Sequence, residues 1–84
     1  MGYHKRKITK GIVGEYSKIR EEYQELDDAH EQNIPVLELV ECADLIGAIS
    51  LYTLNKYNID IDSLVAMSKA TKSAFDDGSR KTDH

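Results

Sequence analysis

The chain has 84 residues, a formal net charge of −4 and one cysteine. A domain this small buries only about 60% of its unfolded surface, so oligomerisation is the expected way to complete a core. The acidic balance argues against a nucleic-acid-binding surface, a lone Cys42 excludes an internal disulfide, and no apolar run of about 18 residues is present to span a membrane. Charges follow Met1 where a signal peptide would need an apolar stretch, so a cytoplasmic protein is expected.

Residues 1–84 read as a single domain, with a basic arm over 1–10 and a flexible tail over 79–84. The arm, His4-Lys5-Arg6-Lys7 with Lys10, is expected to be solvated. His4, His30 and His84 are too scattered to suggest a zinc site. From Ile12, apolar residues recur at Tyr16, Ile19, Tyr23 and Leu26, and the series reaches His30. This alternation of four and three predicts an amphipathic first helix. On a wheel of 100° per residue, Glu22 flanks the stripe, Glu25 lies further round and Glu21 beyond it. Taken alone, these acids read equally as the wet face of a helix.

Asn33-Ile34-Pro35 breaks the pattern, and proline suits the first turn of a second helix, predicted from about Pro35 to Tyr57. Apolar residues lie on nearly all its sides, which predicts a central, buried helix with Cys42 as a small core residue. Glu41 and Asp44 interrupt that surface one turn apart. Burying an unpaired carboxylate costs several kcal/mol or forces its protonation, so this pair demands a counter-charge. Glu38 suits the positive end of the helix dipole. Gly47 costs about 1 kcal/mol relative to alanine, for close helix approach or for a ligand.

Asn58-Ile59-Asp60-Ile61-Asp62-Ser63 reads as a turn in which Asp60 or Asp62 caps a third helix. That helix is predicted from about Ile61 to Asp77, with Gly78 as its stop. It carries Lys69 and Lys72 one turn apart, and Arg80 and Lys81 follow. The class is therefore all-α. No internal repeat is visible.

The chemistry-bearing pattern is Glu21-Glu22-x-x-Glu25, fifteen residues, then Glu41-x-x-Asp44. A spacing of three puts each pair of acids on one side of its helix. Two antiparallel helices would bring four carboxylates together, and such a group needs hard divalent cations, Mg²⁺ or Mn²⁺. It can hold two or more ions about 3.5 to 4 Å apart on phosphate oxygens. Glu21, just outside, would take a proton from a bound water or hold a further ion. Lys18, Lys69, Lys72 and Arg80 are the candidate phosphate contacts, each otherwise an ordinary surface charge.

This signature resembles that of the MazG-like, all-α nucleoside triphosphate pyrophosphohydrolases. The surrounding texture, Lys10-Gly11-Ile12-Val13-Gly14-Glu15, Asp44-Leu45-Ile46-Gly47-Ala48-Ile49 and the segment from Thr71 to Arg80, resembles compact phage-encoded members. The resemblance covers about residues 8 to 80. It implies cleavage of a (deoxy)nucleoside triphosphate between the α and β phosphates, with Mg²⁺ on Glu22, Glu25, Glu41 and Asp44; Glu21 and Glu22 are the expected catalytic residues. It further implies a four-helix-bundle-type assembly, as a homodimer or homotetramer, in the cytoplasm of a host if phage-encoded. Guanine nucleotides are the first substrates it suggests.

Two departures concern nucleotide recognition. Many members carry asparagine where this chain has Leu51, and the family's nucleotide-holding lysine and asparagine have only Asn55, Lys56 and Asn58 as candidates. Two rival readings remain. A di-metal carboxylate redox protein would need repeated Glu-x-x-His ligands, which only Asp27-x-x-His30 approaches. A helical interaction module would leave Glu41 and Asp44 unexplained.

Overall fold

The computed structural model describes residues 4–76, with side chains described through residue 73. Helices α1 (Tyr16–Gln32), α2 (Pro35–Tyr57) and α3 (Ile61–Asp76) account for most of it, and no strand occurs among the described residues. The chain is thus all-α. None of its described helices is long and apolar enough to cross a membrane.

Each boundary has a local cause. Gly14 adopts φ +88° and the Glu15 N–H closes a turn on the Ile12 carbonyl at 2.9 Å. That turn keeps Ile12 outside the helix it was expected to start. Asn33 and Asn58 end α1 and α2 in the left-handed region, φ 58° and 57°, which asparagine tolerates better than most residues. Pro35 opens α2, where its missing N–H costs nothing.

Asp60 begins α3, its Oδ1 accepting the Ser63 N–H at 2.9 Å. That bond also holds the Asp60 carboxyl below its ordinary value. Asp60→Ala should therefore lower the urea midpoint of unfolding. A urea midpoint that did not move would show that the cap is dispensable.

Two residues, Asn33 and Ile34, connect α1 to α2. A link that short turns the second helix back along the first, and the pair packs as a hairpin. By contrast α3 packs only on α2 among the described residues, and far more lightly. Ala29, Leu37 and Ala48 are the buried apolar residues. Much of the apolar surface of α2 is open: Val36 and Leu39 are 71% and 70% exposed, and Ile46 is 55% exposed. The expectation of an all-round buried α2 therefore fails within one chain, because α1 covers one face and α3 adds only a light contact. Cys42 is exposed rather than in the core for the same reason. A Cβ on Gly47 would meet nothing within 4 Å, so close helix approach within the chain does not explain that glycine.

The face that α1 turns inward is not its apolar stripe. Glu21, Glu22, Asp28 and Ala29 are its buried residues, while Tyr16 and Tyr23 are more than half exposed.

A candidate metal centre between α1 and α2

Residues on one helix face recur every three or four positions, so the inward face of α1 presents Glu21, Glu22, Glu25, Asp28 and Gln32. Opposite it, α2 presents Glu41 between the buried Leu37 and Ala48; Glu41 is buried but Asp44, one turn on, is exposed, so only one member of the expected buried pair lies inside. Three sets of donor atoms result, each within 4.8 Å of one another: Glu21, Glu22 and Glu25; Glu22, Glu41 and Asp44; and His4, Glu25 and Glu41. The structure thus brings together all five acids of the sequence pattern.

The three sets differ in what balances their charge. Lys18 stands over the first, its Nζ 3.1 Å from both Glu21 Oε1 and Glu22 Oε2. Burial opposes its charge, but these two carboxylates raise its pKa overall, so Lys18 stays a cation. Glu21 Oε1 also accepts the Gly11 N–H at 2.7 Å. Burial would raise the Glu21 carboxyl; the Gly11 and Lys18 bonds outweigh it and hold Glu21 below its usual range. Gly11 has no alternative there, since a Cβ would lie 2.3 Å from the Ser17 carbonyl oxygen.

The third set has His4. Its Nδ1 lies 2.8 Å from Asp28 Oδ2, and its Nε2 3.0 Å from Glu41 Oε2 and 3.6 Å from Glu25 Oε1. Burial works against the imidazolium, but Asp28 and Glu41 outweigh it and raise the pKa above 6.5. Asp28 also accepts the Lys5 N–H and a Gln32 Nε2–H, and lies below its ordinary value despite its burial.

The second set borrows its balance from the other two: Lys18 meets Glu22 and His4 meets Glu41 through one oxygen each. Glu22 Oε1 and Glu41 Oε1 are buried and have no hydrogen-bond partner among the described residues. Burial lifts the Glu41 carboxyl; His4 opposes the rise, and Asp44 and Glu22 add to it. Glu25 is pushed up to about 7, by burial first and then by the Glu22 carboxylate beside it. A cation placed among these acids would favour their ionised forms and reverse both shifts. Two buried oxygen atoms without donors, within reach of further carboxylates, fit a hard divalent ion. Glu22, Glu25, Glu41 and Asp44 would hold it.

No family profile, curated protein or solved structure matches this chain. The assignment of the site therefore rests on its own geometry.

The basic arm corrects one expectation. It is docked, not a free solvated tail: Arg6 pairs with Asp27 at 2.8 Å and with Glu31, and His4 enters the acid cluster. The contacts of His4 with Asp28 and of Gly11 with Glu21 run the arm antiparallel to α1. His4 and Asp28 are the site residues that sequence reading misses. Asp28 continues the three-residue rhythm of Glu22 and Glu25, a usable signal; His4 has none beyond a basic segment facing an acidic helix.

The expected phosphate contacts are mostly elsewhere. Asn55 donates to the Gly14 carbonyl at 3.1 Å and lies about 16 Å along α2 from Asp44. Lys69 and Lys72 occupy exposed positions of α3, outside the α1–α2 interface that holds the acids. Arg80 lies outside the described residues. Lys18 alone is at the cluster.

Proposed function

We propose that this chain is a divalent-cation-dependent nucleoside triphosphate pyrophosphohydrolase of the MazG-like kind. Water adds to the α phosphorus of a (deoxy)nucleoside triphosphate, the bond from that phosphorus to the bridging oxygen breaks, and the monophosphate and pyrophosphate leave. The observation that carries this reading is the convergence of Glu22, Glu25, Glu41 and Asp44 across two helices, with buried carboxylate oxygens left without donors.

Mg²⁺ or Mn²⁺ suits an all-oxygen donor set. A bound ion there supplies neutralisation of phosphate oxygens and of the leaving pyrophosphate, and lowers the pKa of a bound water. Glu21, held ionised by Gly11 and Lys18, is the carboxylate available to accept a proton from the attacking water. Lys18 bridges Glu21 and Glu22 and helps to keep Glu21 ionised. A polar cleft beside Glu21, lined by Thr9, Lys10, Ser17, Arg20 and Gln24, offers two exposed cations to the outer phosphates.

The exposed apolar residues of α2 support assembly with a second copy into a four-helix bundle, since 84 residues alone cover so little of that helix. Guanine nucleotides are the first substrates to offer.

Purified protein with Mg²⁺ and a panel of nucleoside triphosphates should release monophosphate and pyrophosphate. Orthophosphate with diphosphate would mean attack at the γ phosphorus and overturn the assignment. No turnover, together with no cation binding by calorimetry, would leave a helical interaction module.

A further inference from the structure

The acid cluster contains a nitrogen donor. His4 comes from the arm, 37 positions before Glu41, and its two ring nitrogens face different partners. Nδ1 meets Asp28, whose carboxylate is fixed by the Lys5 N–H at 3.2 Å and by Gln32 at 2.9 Å. Nε2 points at Glu25 and Glu41. Metal-binding histidines show this division of labour: one nitrogen donates to a carboxylate that fixes ring and tautomer, and the other faces the ion.

Glu41 is 5% exposed and its Oε1 has no partner among the described residues, so the cluster offers more acceptor capacity than His4 fills. The three donor atoms lie within 4.8 Å of one another, a span that ligands of one ion can share. Arg6, paired with Asp27 and Glu31, holds the arm in place from the other side.

We propose that His4, Glu25 and Glu41 form a mixed nitrogen–oxygen position for a first-row transition-metal dication, next to the all-oxygen position of Glu22, Glu41 and Asp44. The inference rests on the divalent-cation reading given above and refines it. An imidazole ligand favours ions such as Co²⁺ or Zn²⁺ over Mg²⁺, which prefers oxygen. On binding, the Nε2 proton passes to solvent and its lone pair goes to the metal, while Nδ1–H stays with Asp28. Asp28 is a positioning residue: it sets which nitrogen is free.

Co²⁺ and Mg²⁺ titrated separately into the full chain test this, read by calorimetry, by the visible absorption of Co²⁺ and by proton NMR of the histidine rings. The wild type should bind Co²⁺ with a strongly shifted ring-proton signal from one histidine. His4→Gln should lose that signal and weaken Co²⁺ binding at least about tenfold, while Mg²⁺ affinity stays within about threefold. Asp28→Asn should weaken Co²⁺ binding and keep the shifted signal.

Unchanged Co²⁺ affinity in His4→Gln would overturn the proposal. Tighter binding of both ions would also overturn it, because His4 would then merely cover the acids. The shifted signal is read on the wild type, so its absence counts against the proposal even if a variant fails to fold. Mg²⁺ binding and nucleotide hydrolysis that persist while the His4 results fail would sink this inference alone. A wild type that binds neither ion would sink the functional reading with it.

Discussion

Glu41→Gln should lower nucleotide hydrolysis by at least about 100-fold and remove Mg²⁺ binding, yet leave the helices in place. In the absence of divalent ions its thermal midpoint at pH 8 should equal or exceed that of the wild type. The reason is electrostatic. The Glu41 carboxyl is raised chiefly by burial, against the pull of His4 and with the push of Asp44 and Glu22. Ionising it in the folded chain is therefore unfavourable, and an amide of the same shape removes the charge. Most substitutions at buried positions lower stability and activity together; here the two should part. Full activity in Glu41→Gln would end the metal-centre assignment, and a collapsed helical signal would mean that Glu41 is needed for folding.

The second large effect is on pH dependence. With divalent ions removed, stability should be highest near about pH 4.5 and decline from there toward pH 8. Glu25 lies at about 7 instead of 4.5, so in that window the folded chain binds more protons than the unfolded one and loses stability as pH rises. A shift of that size corresponds to at most about 3 kcal/mol, less after screening of a side chain that is 19% exposed. His4 adds to the same slope. Its contribution is complete below 6.5 and disappears as pH climbs through its raised value. Asp28 and Glu21 act in the opposite sense, since both lie below their ordinary 3.8 and 4.5. What they contribute is present above those values and is lost only in stronger acid.

Saturating Mg²⁺ should lift the alkaline side of the curve, by about 2.7 kcal/mol at a hundred times its dissociation constant. Urea midpoints at pH 5.5 and pH 8, in EDTA and in MgCl₂, measure both effects. A midpoint in EDTA that rose steadily from pH 5.5 to pH 8 would contradict the electrostatics of the cluster.

The parts of the fold and site that are readable from sequence share a short range. Pro35 and Asn58 bound α2 through their own backbone preferences, and Asp60 starts α3 through one local bond. The pairs Glu22/Glu25 and Glu41/Asp44 are readable because helical spacing alone puts each pair on one side, and a two-residue link folds the helices together. Long-range contacts leave no such trace. Nothing periodic connects His4 to Glu41, so the arm reads as solvated although its charges match the acids of α1. Polarity also misleads where acids turn inward. The stripe of Tyr16 and Tyr23 faces out, and Glu21, Glu22 and Asp28 go in because Lys18, Gly11 and His4 meet them there. The open side of α2 is a third case, since apolar patterning reports that a surface wants cover without saying which chain supplies it.

The inward acids of the α1–α2 hairpin have an evolutionary consequence. Replacing Glu41 by a leucine-like residue would be the simplest improvement to so small an interior, and selection for robustness alone would favour it. Retaining it should leave the metal-free hairpin weaker than an apolar residue there would. The chain thus trades thermal robustness for a charged interior, and variants selected only for heat resistance should drift toward inert bundles.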